Sequence, residues 1–154
     1  MSGLNTELAN EQKTNPRPIF LKIAPDISEY QLDDFQHIVE ATQLNGIIAT
    51  NTSVSRANLK TKASVVDSLG AGGLSGQPLK NYSRELVRQL YRRVGDQVPI
   101  IGVGGIQSGH DAWQMILAGA SLVQIYTGFI YGGPSTVKRI NQYLLKKIKD
   151  HNLP

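Results

Sequence analysis

The residues with the most chemical promise stand just inside or just beyond short apolar runs of the 154-residue sequence. Lys22 interrupts Ile19-Phe20-Leu21-Lys22-Ile23. A lysine is rarely buried without a partner because desolvating its charge is costly, so Lys22 is expected to face an anionic or electron-rich ligand. The alternative is an edge-strand lysine that discourages aggregation. Asn51, Thr52 and Ser53 follow a second run as a compact set of donors and acceptors that could bind a planar polar ligand. Asn and Ser also simply make turns. After a third run, Gly102-Val103-Gly104-Gly105-Ile106 leads to a helix start at Ser108. That order places bare backbone N–H groups beside a positive helix end, where a phosphate would fit. Tyr126-Thr127-Gly128 follows a fourth run, with Gly132-Gly133-Pro134 opening the final helix, as a second donor cluster. Either glycine loop alone reads equally well as a tight turn; the pair together favours phosphate.

These groups can meet only if the apolar runs are strands that end on the same side. The runs cover 19–23, 46–50, 98–103 and 121–126, each rich in Ile or Val and short enough to be a strand buried on both faces. Amphipathic stretches separate them, which is the pattern of repeated βα units with a parallel sheet. Ser28 with Gln31 has capping-box spacing ahead of Leu32, Phe35, Ile38 and Val39, and Asn45 with Gly46 is expected to end that helix. Leu86, Val87, Leu90 and Val94 give a second helix over 82–94, where Arg84, Arg88 and Arg92 form a stripe best read as a solvated face. Ser108 and Asp111 open a third helix, closed by Gly119, and Pro134 suits the first turn of a fourth. The connection from 51 to 80 shows little periodicity, and a structureless segment of that length is a candidate active-site flap.

Composition removes several classes. No cysteine is present, so disulfide scaffolds and thiol chemistry are excluded. No apolar run approaches the roughly 18 to 20 residues that span a bilayer, and the first twenty residues lack the order of a secretion signal. The net charge is +4, but the 16 basic residues are scattered rather than gathered with aromatics, so no nucleic-acid partner is expected. His37, His110 and His151 share no metal-ligand spacing, and no metal is expected. Gln124, inside the fourth run, is given no role.

Taken together, the strings KIAPDIS (22–28), GIIATNTSVSR (46–56), GGLSGQPL (72–79), PIIGVGGIQSG (99–109) and AGASLVQIYTGFIYGGP (118–134) resemble the dihydroorotate dehydrogenases, and their order and spacing look like the class 2, quinone-dependent branch. The resemblance covers about residues 19–145. It implies an α/β fold, the C-terminal half (strands 5–8) of an FMN-binding (β/α)8 TIM barrel, with residues 1–18 as an N-terminal tail or short helix and 19–150 as a single half-barrel domain. It implies oxidation of dihydroorotate to orotate in pyrimidine (UMP) biosynthesis, with electrons passed to a quinone. By the same resemblance, Lys22 corresponds to the lysine at the flavin ring. Thr50, Gly76, Gly104, Gly105, Tyr126 and Thr127 correspond to FMN-contacting positions, and Asn51 and Thr52 to the pair that hydrogen-bonds orotate.

The motifs belonging to the first four strands are missing, and with them the loop carrying the serine base, so no catalytic residue is expected in this chain. The isolated chain is expected to be inactive, exposing two sheet edges and apolar surface that would meet the missing half. The alternative is a binding module: a non-catalytic FMN- or phosphate-binding half-barrel that pairs with a copy of itself. The resemblance places the full-length enzyme peripherally on the bacterial cytoplasmic or mitochondrial inner membrane, and the chain alone is expected to be soluble and cytoplasmic.

Overall fold

The computed structural model describes residues 17–42 and 44–151. The expected tail or short helix at 1–18 therefore lies almost wholly outside the described residues. Chain order is β1 (Phe20–Ile23), α1 (Glu29–Thr42), β2 (Gly46–Ala49), α2 (Ala63–Ser68), a 3-10 turn (Gln77–Leu79), α3 (Lys80–Val94), β3 (Ile100–Val103), α4 (Gly109–Leu117), β4 (Leu122–Gln124), α5 (Thr127–Gly132) and α6 (Ser135–Asp150). Among these, no helix is long and apolar enough to cross a membrane.

The strands form one parallel sheet in the order β1-β2-β3-β4, so the chain winds in one direction and β1 and β4 are both edges. The register explains the layering. Ile23, Ala49, Gly102 and Val123 stand in one row across the sheet, and Ile23, Ala49 and Gly102 in it are buried. The neighbouring row, Lys22, Ile48, Ile101 and Leu122, must point the other way because side chains alternate along a strand. Lys22 is exposed, Leu122 is 60% exposed and the two isoleucines are only partly covered. One face is thus packed and the other is bare. The expectation that the strands are buried on both faces is corrected here: helices cover one side only.

That covered side holds the core. Leu32, Phe35 and Val39 of α1, Leu86, Val87, Leu90 and Val94 of α3, Ala112 and Met115 of α4, and Ile140 of α6 meet Ile47, Ala49 and Ile100. The helix starts follow the expected caps. The Ser28 amide donates to Gln31 Oε1 at 2.9 Å while the Gln31 amide donates to Ser28 Oγ at 3.3 Å, and Ser108 with Asp111 closes a second capping box. Gly46 opens β2 instead of ending α1. Asn45 ties the two together, its side chain accepting from the Ile19 amide at 2.7 Å.

The 51–80 connection is also more ordered than expected. The Ser53 and Leu74 amides and carbonyls exchange hydrogen bonds at 3.0 and 2.8 Å, folding the segment back on itself, and α2 and the 3-10 turn lie within it. Asp26 anchors the near end, accepting from Ser53 Oγ at 2.6 Å and the Val54 amide at 2.9 Å. Short helices such as α2, with no buried residue, leave no periodic trace in a sequence.

The two faces predict different mutational costs. Leu90→Ala, at a fully buried position, should lower the unfolding free energy by about 2–5 kcal/mol. Leu122→Ala on the bare face should cost under about 0.5 kcal/mol. Urea titration of both variants reads the difference, and an equal loss at Leu122 would mean that this face is covered in solution.

Candidate functional site

Because the strands run parallel, their carboxyl ends open on one side, and the backbone ladder continues past them. The Thr50 amide donates to the Val103 carbonyl at 2.8 Å and the Asn51 amide to the Ile23 carbonyl at 2.7 Å. These bonds draw the loops after β1, β2 and β3 together around a cleft of about 330 Å³. Lining it are Lys22 from β1, Thr50, Asn51 and Thr52 after β2, Gly76 before the 3-10 turn, Gly104 and Gly105 after β3, and Tyr126, Thr127 and Gly128 after β4, whereas Ser53 and the Gly132-Gly133-Pro134 part of the expected second donor cluster do not reach it. Leu79, Val103, Ile106 and Ile125 supply apolar lining, and Gln124 also faces the cleft.

Lys22 is on the cleft wall but is not buried, contrary to the expectation of a desolvated ammonium. It sits on an edge strand and on the bare face, so nothing in the described chain takes it out of water. The residue is an edge lysine that also faces the cleft.

Thr50 is 2% exposed, and its hydroxyl meets Ser83 Oγ at 3.0 Å and the Asn51 carbonyl at 2.9 Å. Asn51 and Thr52 are exposed between Thr50 and the anchored Ser53. Their amide and hydroxyl can donate and accept toward a planar ligand. Across the cleft, Gly104 and Gly105 have φ of 123° and 70°, backbone that L side chains rarely adopt. Gly105 also needs its missing side chain, since a Cβ there would run into the backbone of Lys80. Gly128 likewise allows the start of α5 to press against the Ile106 carbonyl, which brings the last two loops into contact. Thr127 Oγ1 donates to Ser75 Oγ at 3.1 Å, joining α5 to the returning arm of the 51–80 segment. The short α5 was not expected from the sequence, where its Gly128 and Gly132 read as loop.

Sequence reasoning also missed a polar junction behind the Gly104–Gly105 loop. Asp111 Oδ2 accepts from the Gln107 amide at 3.1 Å, the Ser108 amide at 3.0 Å and Ser108 Oγ at 2.8 Å. Its Oδ1 meets the Lys80 ammonium in an ion pair. Burial alone would push the Asp111 carboxyl up, but the hydrogen bonds from Lys80, Ser108 and Gln107, with the Lys80 charge, hold it below the usual carboxylate range. A signal was available: Lys80 opens α3, where a cation opposes the helix dipole and calls for an acidic partner.

With this geometry in view, the chain can be set beside known proteins. Residues 2–148 match the family model described as dihydroorotate dehydrogenase. A protein of Christiangramia forsetii named dihydroorotate dehydrogenase (quinone) is 51% identical over 145 residues, covering 94% of this chain and 42% of that protein. One of the same name from Corynebacterium striatum is 46% identical over 142 residues, covering 92% and 40%. Among solved structures, DHODH from Eimeria tenella in complex with ferulenol superposes with a TM-score of 0.80 at 39% identity, covering 89% of this chain and 36% of that one. The chain therefore spans about two fifths of the length of the curated relatives it matches.

The Asp111 junction makes a pH prediction. A carboxyl whose folded pKa is depressed stabilises the fold above its unfolded value, and that contribution is lost as pH falls through the folded pKa. Wild-type stability should therefore fall as pH drops below the ordinary carboxylate range, and Asp111→Asn should flatten that acid limb of the profile. Urea midpoints across that limb check it, and identical acid slopes would remove Asp111 as a contributor.

Proposed function

The chain belongs to the dihydroorotate dehydrogenase family, and from that premise we propose that it supplies strands five to eight of an FMN-binding (β/α)8 barrel that oxidises dihydroorotate to orotate with a quinone acceptor, in pyrimidine biosynthesis. The observation that carries the proposal is the meeting of Lys22, Asn51, Gly76, Gly105 and Thr127, from separate segments of the chain, on one cleft. Its volume, about 330 Å³, lies at the lower end of the roughly 300–1,000 Å³ of small-ligand sites. The fit to FMN rests on the distribution of groups: a glycine-rich backbone turn with positive φ for a phosphate, a lysine for an electron-rich ring, and apolar Val103, Ile106 and Ile125 between.

FMN held at this cleft would supply two-electron redox chemistry between dihydroorotate and a quinone. The chain's own part is to bind and orient. The Lys22 ammonium stabilises negative charge on the ring system, while the Gly104–Gly105 loop and Thr127 hold the phosphate. Thr50 borders the flavin, with its hydroxyl turned to Ser83. Asn51 and Thr52 hydrogen-bond the carboxylate and ring amides of orotate, and Tyr126 closes the outer wall.

Removing a proton from dihydroorotate requires a base within hydrogen-bond reach. No serine here lies in a motif matching the family's base. With two fifths of a relative's length and one sheet face bare, the 154-residue chain is proposed to bind flavin without turnover on its own. The bare face also favours a second reading, in which two copies pair sheet to sheet as a non-catalytic FMN-binding dimer. In the complete protein, attachment to the membrane is proposed to be peripheral.

The purified chain should carry flavin absorbance, and Gly105→Ala should lose it, because the alanine would strain the turn and strike Lys80. Assays with dihydroorotate and a quinone or dye should show no turnover. Turnover would overturn the proposed inactivity, absence of flavin would overturn the cofactor site, and a monomer by light scattering would remove the paired reading.

A further inference from the structure

The phosphate loop is held from behind by groups that do not touch the cleft. Asp111, about 7% exposed, ties down both ends of the Gln107–Ser108 turn through Oδ2, and its Oδ1 has the Lys80 ammonium as its partner. Lys80 reaches the same loop a second way, since its own backbone fills the space that a side chain on Gly105 would need. The loop is therefore gripped at Gly105 by the body of Lys80 and at Gln107–Ser108 by Asp111, with an ion pair closing the grip. Neither charged residue lines the cleft.

We infer that the Asp111–Lys80 pair is a positioning clamp that aims the 104–108 backbone at an anionic group and keeps the carboxylate behind that loop neutralised. The inference rests on the phosphate-binding role proposed for the loop. Its physical content has two parts. Fixed amides bind an anion without reorganising on its arrival. In addition, a carboxylate stripped of its ammonium would sit close behind the turn and repel an incoming phosphate. An ordinary helix cap would do only the first of these for its own helix, and it would need no cation brought from α3.

Binding of FMN and of riboflavin, which lacks the phosphate, separates the possibilities. Fluorescence titration of the full chain should show tighter binding of FMN than of riboflavin. Lys80→Met, which leaves the carboxylate unpaired, and Asp111→Ala, which removes the acceptor of the loop amides, should each weaken FMN by about tenfold and leave riboflavin within about twofold, and Lys80→Arg, which keeps the charge, should restore FMN binding. If the variants weaken both flavins alike, the pair is merely structural and the clamp is overturned. Unchanged FMN affinity in both variants also overturns it, while the phosphate reading survives. Should the unaltered chain bind the two flavins equally, the phosphate role of the loop itself fails, and the clamp with it. Thermal unfolding of each variant without ligand identifies any that fails to fold, and in that case Lys80→Gln gives the same comparison.

Discussion

Parallel pairing of the four strands is the constraint from which the rest follows. Antiparallel neighbours can be joined by a tight turn, but a parallel neighbour requires the chain to travel back to the starting end, here through a helix. With all returns on one face, the strands share a direction and their carboxyl ends open together. Lys22 and Thr127, far apart in sequence, consequently share a cleft. The sheet contributes direction and a spacing of about 4.8 Å between strands. Apart from Lys22, Val103 and Gln124 on the strands, the groups facing the cleft come from the segments beyond the strand ends.

Loops that approach one another closely must satisfy their polar groups without abundant water. The molecule does this with a few side chains placed where strand becomes loop. Thr50 meets Ser83, Asp26 holds Ser53 and the Val54 amide, and Asp111 holds the turn after β3. Each of these fixes chain next to residues left facing the cleft. Asn51 and Thr52 are suspended between bonded Thr50 and bonded Ser53, so their freedom to turn is limited although their side chains are exposed. Order at the cleft comes from what is buried just behind it.

Much of this was legible in the sequence because strand ends announce themselves. A short Ile/Val run followed by Asn-Thr-Ser or Gly-Gly marks a position at the mouth of the sheet, and the two capping boxes, Ser28 with Gln31 and Ser108 with Asp111, depend on local spacing alone. What could not be read was set by distant parts of the chain. The burial of Lys22 depends on what covers the second face of the sheet, which its own strand cannot reveal. The ion pair of Lys80 with Asp111 joins two helices separated by β3. The α2 and α5 helices are six residues each, too short for a 3.6-residue period to show, and α5 contains two glycines that suggest a turn. The ends of β4 were overestimated because Ile125 and Tyr126 continue an apolar pattern after the ladder has stopped.

The two ends of the cleft differ in how far the chain completes them. At the Gly104–Gly105 end, the wall is backbone, its conformation set by positive φ, by the body of Lys80 and by a carboxylate with both oxygens engaged. All of those supports lie within the described residues, so this end is preorganised by the fold itself. At the Lys22 end, the wall is a side chain on an edge strand, facing water on a sheet surface without cover. A flexible, hydrated ammonium loses rotamer freedom and hydration when it engages a ligand, whereas fixed amides lose little of either. On the proposed function, the phosphate is therefore the part of the flavin that this chain can grip fully, and the ring is the part whose binding depends on whatever else closes over β1. The same asymmetry puts Asn51 and Thr52, which lie on the less covered side of the cleft, among the residues whose contribution grows once that face is enclosed and water is excluded.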